Sequence, residues 1–178
     1  KYLYSSLLGA VYFGIFMIKR KDIIANALQS TLNAAIEIQK KAISKYNPDL
    51  IVGSSFGGAV STQLIKLNIW SGPAILLAPG YNIVMKFTKH TIQNVTKSMD
   101  IMNISNHNDK YITDNKKILI IHGDADNLVP LSDSQKLQKI NKDIMDLKII
   151  SGEDHNLWKI AQNGEMADLV QEYYDSYE

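Results

Sequence analysis

Apolar residues along this chain alternate between two kinds of spacing. At the amino end, Lys1 to Ser6 and Val11 to Ile18 crowd Tyr, Phe, Val and Ile together, which predicts a buried strand or pair of strands. From Asp22 the spacing changes. Ile24, Leu28, Leu32, Ala35, Ile36 and Ile43 recur at steps of three, four and seven, so one apolar face runs along a long helix. Lys40, Lys41 and Lys45 suit the negative end of its dipole, and Asn47-Pro48 stops it. Asp49 to Val52 is a short buried-strand run that breaks at Gly53, and Ala59, Val60, Leu64 and Leu67 restore a helical period over Phe56 to Leu67. Pro73 to Ala78 reads as a strand closed by Pro79-Gly80, and Lys117 to Ile121 is the clearest strand of all. Between them, Tyr81 to Asn115 is polar and weakly periodic, fitting one or two helices with a loop. A helix from about Ser132 to before Asp143, a strand over Asp146 to Ile150 and an amphipathic helix over Leu157 to Tyr174 complete the chain. Strands alternating with helices predict an α/β fold, a mostly parallel sheet with helices on both faces.

Composition narrows the functional classes. The 178 residues fit a single domain spanning 1–178, with 46% hydrophobic and 21% charged residues, an ordinary globular balance. A formal net charge of +1 lacks the basic excess of a nucleic-acid binder. The absence of cysteine excludes disulfides, thiolate metal sites and a cysteine nucleophile. The apolar run Tyr2 to Ile18, followed by Lys19-Arg20-Lys21, is at the lower limit for a membrane span and lacks the order of a secretory signal. A cytoplasmic protein is expected, with membrane association the less favoured reading.

Three polar motifs each follow a strand. The first is Gly53-Ser54-Ser55-Phe56-Gly57-Gly58, where a buried strand runs through Gly-x-Ser-x-Gly into a helix. A serine at such a bend is held in a strained conformation with its hydroxyl above the strand end, which demands small neighbours such as Gly53 and Gly57. The helix starting at Phe56 offers a backbone N–H to a developing oxyanion. A phosphate-holding turn is disfavoured, because neither glycine-rich phosphate fingerprint is met. The second motif, His122-Gly123-Asp124-Ala125-Asp126-Asn127-Leu128-Val129-Pro130, sets carboxylates at the carboxyl end of a strand. The third, Ser151-Gly152-Glu153-Asp154-His155, carries the one histidine that follows both other motifs.

The chain order Ser55, Asp126, His155 and these three motifs resemble the α/β-hydrolase family, in its small single-domain esterase-like form. The resemblance implies Ser55 as nucleophile, His155 as base and Asp126 as acid, with the Phe56 N–H in the oxyanion hole. Asp124 is the rival acid, but the family pattern sets the acid three residues before Val129-Pro130. His122 maps to a position that braces the loop. The implied reaction is cleavage of a small ester or thioester through an acyl-enzyme, with no metal and no cofactor. The family's second oxyanion donor follows an early strand, often in a His-Gly motif; here the nearest candidates are Ser6 and Leu7, without that motif. The alternative is a catalytically weak or inactive α/β-hydrolase-like binding module. A nucleotide-binding domain ranks third.

The remaining features carry little. Residues 81–115 stand where this fold inserts a lid, and Met85, Phe87, Ile92, Met99 and Met102 are candidates to line an acyl site, although core packing is the commoner use of such residues. His90 and His107 are too far apart for a helical metal pair. Asn94 and Asn103 match the glycosylation acceptor in an asparagine-rich stretch. Neither acyl specificity nor oligomeric state is legible.

Overall fold

A computed structural model describes residues 2–88 and 118–176, with side chains described from residue 22 onward. The elements run α1 (Tyr2–Tyr46), β1 (Ile51–Ser54), α2 (Phe56–Lys66), β2 (Ala74–Leu77), α3 (Tyr81–Phe87), β3 (Ile118–Gly123), α4 (Leu131–Ile140), β4 (Met145–Ile150), α5 (Trp158–Gln162) and α6 (Glu165–Asp175). The four strands form one wholly parallel sheet in the order β1-β2-β3-β4.

Alternation along the central strands feeds two separate cores. Ala74, Leu76, Ile118 and Ile120 face α1 to α4 and bury Leu32 and Ile36 of α1 with Ala59, Val60 and Leu64 of α2. Ile75, Leu119 and Ile121 face the other way and cover Leu157, just before α5, with Ile160 and Leu169 of the carboxyl-terminal helices. This is the expected α/β sheet with helices on both faces. Full burial of a Leu or Ile contributes about 2 kcal/mol. Side chains such as Leu32 (1% exposed) and Ile120 (0%) therefore anchor their helix and strand to the sheet. Ile24 is the exception on the expected apolar face of α1, being 51% exposed.

Two element assignments change. The amino-terminal residues expected as strands belong to α1, which runs unbroken from Tyr2. Leu3, Leu7, Val11, Ile15 and Ile18 are also spaced at steps of four and three, and no proline occurs before Pro48. β-rich composition is a context-dependent preference, and helical spacing without a turn residue outweighs it. Ser6 and Leu7 are therefore helical residues, whose N–H groups bond the carbonyls one turn back, and no loop after an early strand presents them as oxyanion donors. At the other end, the expected single helix over Leu157 to Tyr174 is two, parted at Gly164, whose φ of 90° is one that glycine adopts readily. The stop at Asn47 is as expected: Asn47 has φ 44° and donates its N–H to the Ile43 carbonyl, a left-handed cap.

Among the described residues, no helix is long and apolar enough to cross a membrane. Most of the expected lid, with Ile92, Met99 and Met102, lies outside the described residues, as do His90, His107, Asn94 and Asn103. Met85 is buried in the main core, whereas Phe87 is 52% exposed.

The turn from β1 into α2 separates its glycines by role. A Cβ on Gly53 would overlap the Ser61 hydroxyl and stand 2.6 Å from the Gly57 carbonyl oxygen. One on Gly58 would stand 2.9 Å from Pro79. A Cβ on Gly57 would meet nothing within 4 Å, so the expected need for a small residue there has no steric basis. Gly53→Ala should therefore lower Tm by about 5 °C through overpacking. Gly57→Ala, inside a helix with room for the methyl, should leave Tm unchanged or raise it. Calorimetry of both variants checks the contrast.

Candidate active site

Ser55 sits at the bend with φ 52° and ψ −114°, a conformation that non-glycine residues rarely adopt. Such strain costs on the order of 1–3 kcal/mol and persists only when the surroundings over-determine it. Here they do. The Ser55 N–H donates to the Leu77 carbonyl at 2.9 Å, and the Ser55 carbonyl accepts from Gly80 at 2.9 Å and Ala59 at 3.2 Å. Both β2 and the Pro79-Gly80 turn thus clamp the bend, a contact between segments that sequence reasoning did not anticipate. Phe56 opens α2, so its N–H is among the four that a helix leaves without an internal partner.

The three polar side chains singled out from the sequence meet above the carboxyl ends of the strands. His155 Nε2 lies 2.9 Å from Ser55 Oγ, and His155 Nδ1 lies 2.8 Å from Asp126 Oδ2. A carboxylate only accepts, so Nδ1 carries the ring proton and Nε2 is left to accept from the serine hydroxyl. Asp126 has a wholly buried side chain, whereas the His155 side chain remains 13% exposed. Burial pushes the Asp126 carboxyl up. The hydrogen bond with His155, the N–H groups of Val129 and Leu128 on its other oxygen and the attraction of His155 outweigh burial and hold it below the ordinary carboxylate value.

Asp124 has a different occupation. Its Oδ1 accepts from the Gly152 N–H at 2.6 Å and its Oδ2 from the Ser151 hydroxyl at 3.1 Å. The Ala125 N–H adds a bond to the Glu153 carbonyl at 3.0 Å, and Lys159 Nζ caps the Gly152 carbonyl at 2.7 Å. Asp124 therefore ties the β3–α4 loop to the loop bearing His155. Glu153, named in the sequence only as part of the histidine motif, is the buried residue of that loop and accepts from the Lys159 N–H at 3.3 Å, near the start of α5. Gly123 is where the two loops touch: a Cβ there would overlap the Glu153 carbonyl. A cavity of about 300 Å³ lies beside the site between α1, β1 and α2, lined by Ile43, Ile51, Phe56, Val60 and Leu64, and includes none of the three polar residues. Among the described residues no cluster of His, Asp or Glu could hold a metal.

The depressed Asp126 carboxyl links stability to pH. Its contribution is fully present above the ordinary carboxylate value of about 3.9 and is lost as pH falls through the lower folded-state value. Asp126→Asn removes the titrating group. The variant should therefore lose less Tm than the wild type as pH falls below about 4, which thermal melts across an acid series measure.

Several solved structures share this architecture. A Thermoplasma acidophilum protein described as a predicted CIB-like hydrolase superposes with a TM-score of 0.56 at 17% identity, over 81% of this chain and 60% of its own. A monoacylglycerol lipase from Paleococcus ferrophilus gives 0.57 at 12% identity, over 83% and 76%. MGS-MChE2, an α/β hydrolase enzyme from a Mar Chica lagoon sediment metagenome, gives 0.53 at 16%, over 82% and 70%. This chain thus spans three fifths of the length of the Thermoplasma protein. No curated protein matches the sequence. A family model for the uncharacterised protein family UPF0227 matches residues 17–170. The chain belongs to the UPF0227 family and has the α/β-hydrolase fold.

Proposed function

We propose that this protein is a serine hydrolase that cleaves a small ester or thioester through Ser55, His155 and Asp126. The observation that carries the proposal is the unbroken line from Ser55 Oγ to His155 Nε2 (2.9 Å) and from His155 Nδ1 to Asp126 Oδ2 (2.8 Å). In the first step His155 Nε2 takes the hydroxyl proton as Ser55 Oγ attacks the substrate carbonyl. The resulting imidazolium is stabilised by Asp126, whose carboxylate stays ionised because, against burial, His155, Val129 and Leu128 all favour its charged form. The carbonyl oxygen becomes an oxyanion and receives the Phe56 N–H at the start of α2, a donor worth about 3 kcal/mol in the transition state. Collapse expels the alcohol or thiol, which takes the proton from His155. Water then attacks the acyl carbon with His155 again as base; the acyl–Ser55 bond breaks, Ser55 Oγ takes the proton back from His155, and the carboxylic acid leaves.

The monoacylglycerol lipase and the metagenomic α/β hydrolase enzyme share the fold, which supports hydrolytic chemistry as a class. One observation favours a second reading, a binding module that keeps the bend without turnover: with Ser6 and Leu7 inside α1, Phe56 is the one oxyanion donor assigned among the described residues.

Labelling with a fluorophosphonate, read by intact mass and peptide mapping, separates the two. The hydrolase reading expects a single adduct on Ser55, absent in Ser55→Ala and His155→Ala. Folded wild-type protein that takes no label overturns it in favour of the binding module. Once turnover of a p-nitrophenyl ester is measured, Asp126→Asn should lower kcat by about 10³-fold or more. Asp124→Asn keeps one acceptor for the loop tie and should cost about tenfold or less. The reverse order would transfer the acid's role to Asp124.

A further inference from the structure

The imidazole of His122 is fully buried, yet it takes no part in the path from Ser55 to Asp126. Its two nitrogens have distinct partners. Nε2 lies 3.0 Å from the Val129 carbonyl, which can only accept, so Nε2 carries the ring proton. Nδ1 then accepts from the Ser134 hydroxyl at 2.7 Å, and Ser134 is itself completely buried. The same Nε2 stands 3.2 Å from Asp126 Oδ2, the oxygen that holds His155. The protonated nitrogen of His122 thus stands beside that carboxylate as well as bonding the Val129 carbonyl.

The Val129 peptide adds a second route to the same group. His122 holds its carbonyl, and its N–H donates to Asp126 Oδ1 at 2.8 Å. His122 thus borders both carboxylate oxygens, Oδ2 at 3.2 Å and Oδ1 through the Val129 peptide. An apolar side chain of similar size would fill the space while leaving Ser134 and the Val129 carbonyl without their partners.

We propose that His122 is a positioning residue for Asp126: in the Nε2–H tautomer that the Val129 carbonyl sets, with Ser134 holding its other nitrogen, it locks the Val129 turn and aims the carboxylate at His155. The inference rests on the proposed role of Asp126 as the acid. No proton passes through His122, which keeps its own throughout; its part is to hold the acceptor that orients His155.

The test compares His122→Leu with His122→Gln in the full chain. The Gln amide returns an N–H near the position of Nε2, while Leu returns only volume. With a short-chain p-nitrophenyl ester, His122→Leu should lose about tenfold in kcat with KM within about twofold, and His122→Gln should recover most of the loss. A lone structural role would lower the fraction of folded protein without that split. The low-field proton resonance of the His155–Asp126 hydrogen bond gives a readout that needs no turnover. It should move in His122→Leu and return in His122→Gln. An unmoved resonance, or a Gln variant as slow as the Leu variant with both melting near the wild type, overturns the proposal. If His122→Leu does not fold, Ser134→Ala removes the hydroxyl that holds Nδ1 and with it one of the two bonds that fix the ring plane. That variant should slow kcat a few-fold at unchanged KM, and wild-type kcat would overturn the inference. Wild-type protein that neither labels nor turns over defeats the hydrolase reading instead, and the resonance still decides whether His122 positions Asp126.

Discussion

The backbone of Ser55 is the point on which the molecule's arrangement turns. Its φ of 52° and ψ of −114° are held by Leu77 and Gly80 from one segment and by Ala59 from the helix that follows. That bend ends β1, starts α2 and raises one hydroxyl above the sheet. It requires Gly53 to pass under Ser61 and Gly58 to pass against Pro79. A residue in such a conformation, clamped by its neighbours, is stored strain at the place where an open parallel sheet gathers its loops.

The parallel topology does the rest of the gathering. Every strand runs the same way, so the segments after β1, β2, β3 and β4 all emerge on one side of the sheet. The bend follows β1, the Pro79-Gly80 clamp follows β2, Asp126 follows β3 and His155 follows β4. Residues one hundred positions apart, Ser55 and His155, come within 2.9 Å by this route. The loops after β3 and β4 are then fastened together by Asp124, by the Ala125–Glu153 backbone bond and by the Lys159 cap. Two carboxylates two residues apart thus divide the work, with Asp124 exposed and tying loops and the Asp126 side chain buried against two imidazoles.

Short apolar runs were enough to locate each described strand to within a residue or two: the central strands β2 and β3 are buried on both faces, and the edge strands β1 and β4 keep such runs although Val52 and Ile149 are exposed. Apolar patterning failed at the amino end, where Tyr, Phe, Val and Ile suit a strand by composition but are spaced for a helix. It also joined α5 to α6, since an amphipathic period continues across Gly164 and one glycine is a weak stop signal in a sequence. The lost strand took with it the loop that was to present Ser6 or Leu7.

Ser55, Asp126 and His155 were legible as candidates because each lies in a motif whose local demands can be read: glycine beside a bend, Asp before Val-Pro, a histidine after the last strand. The fold class, the bend and the identity of three polar side chains are therefore properties of the chain as written. The preference for Asp126 over Asp124 came from the family resemblance, since both sit in the same turn with similar flanking residues; the 2.8 Å from Asp126 Oδ2 to His155 Nδ1 is set only by how the loops pack. Nor was the sequence enough for the tautomer of His122, which the Val129 carbonyl sets, or its ring plane, which Ser134 twelve positions away helps to hold. Those choices belong to the tertiary structure, because they follow from distances between loops that only the register of β3 against β4 and the packing of α4 bring into contact.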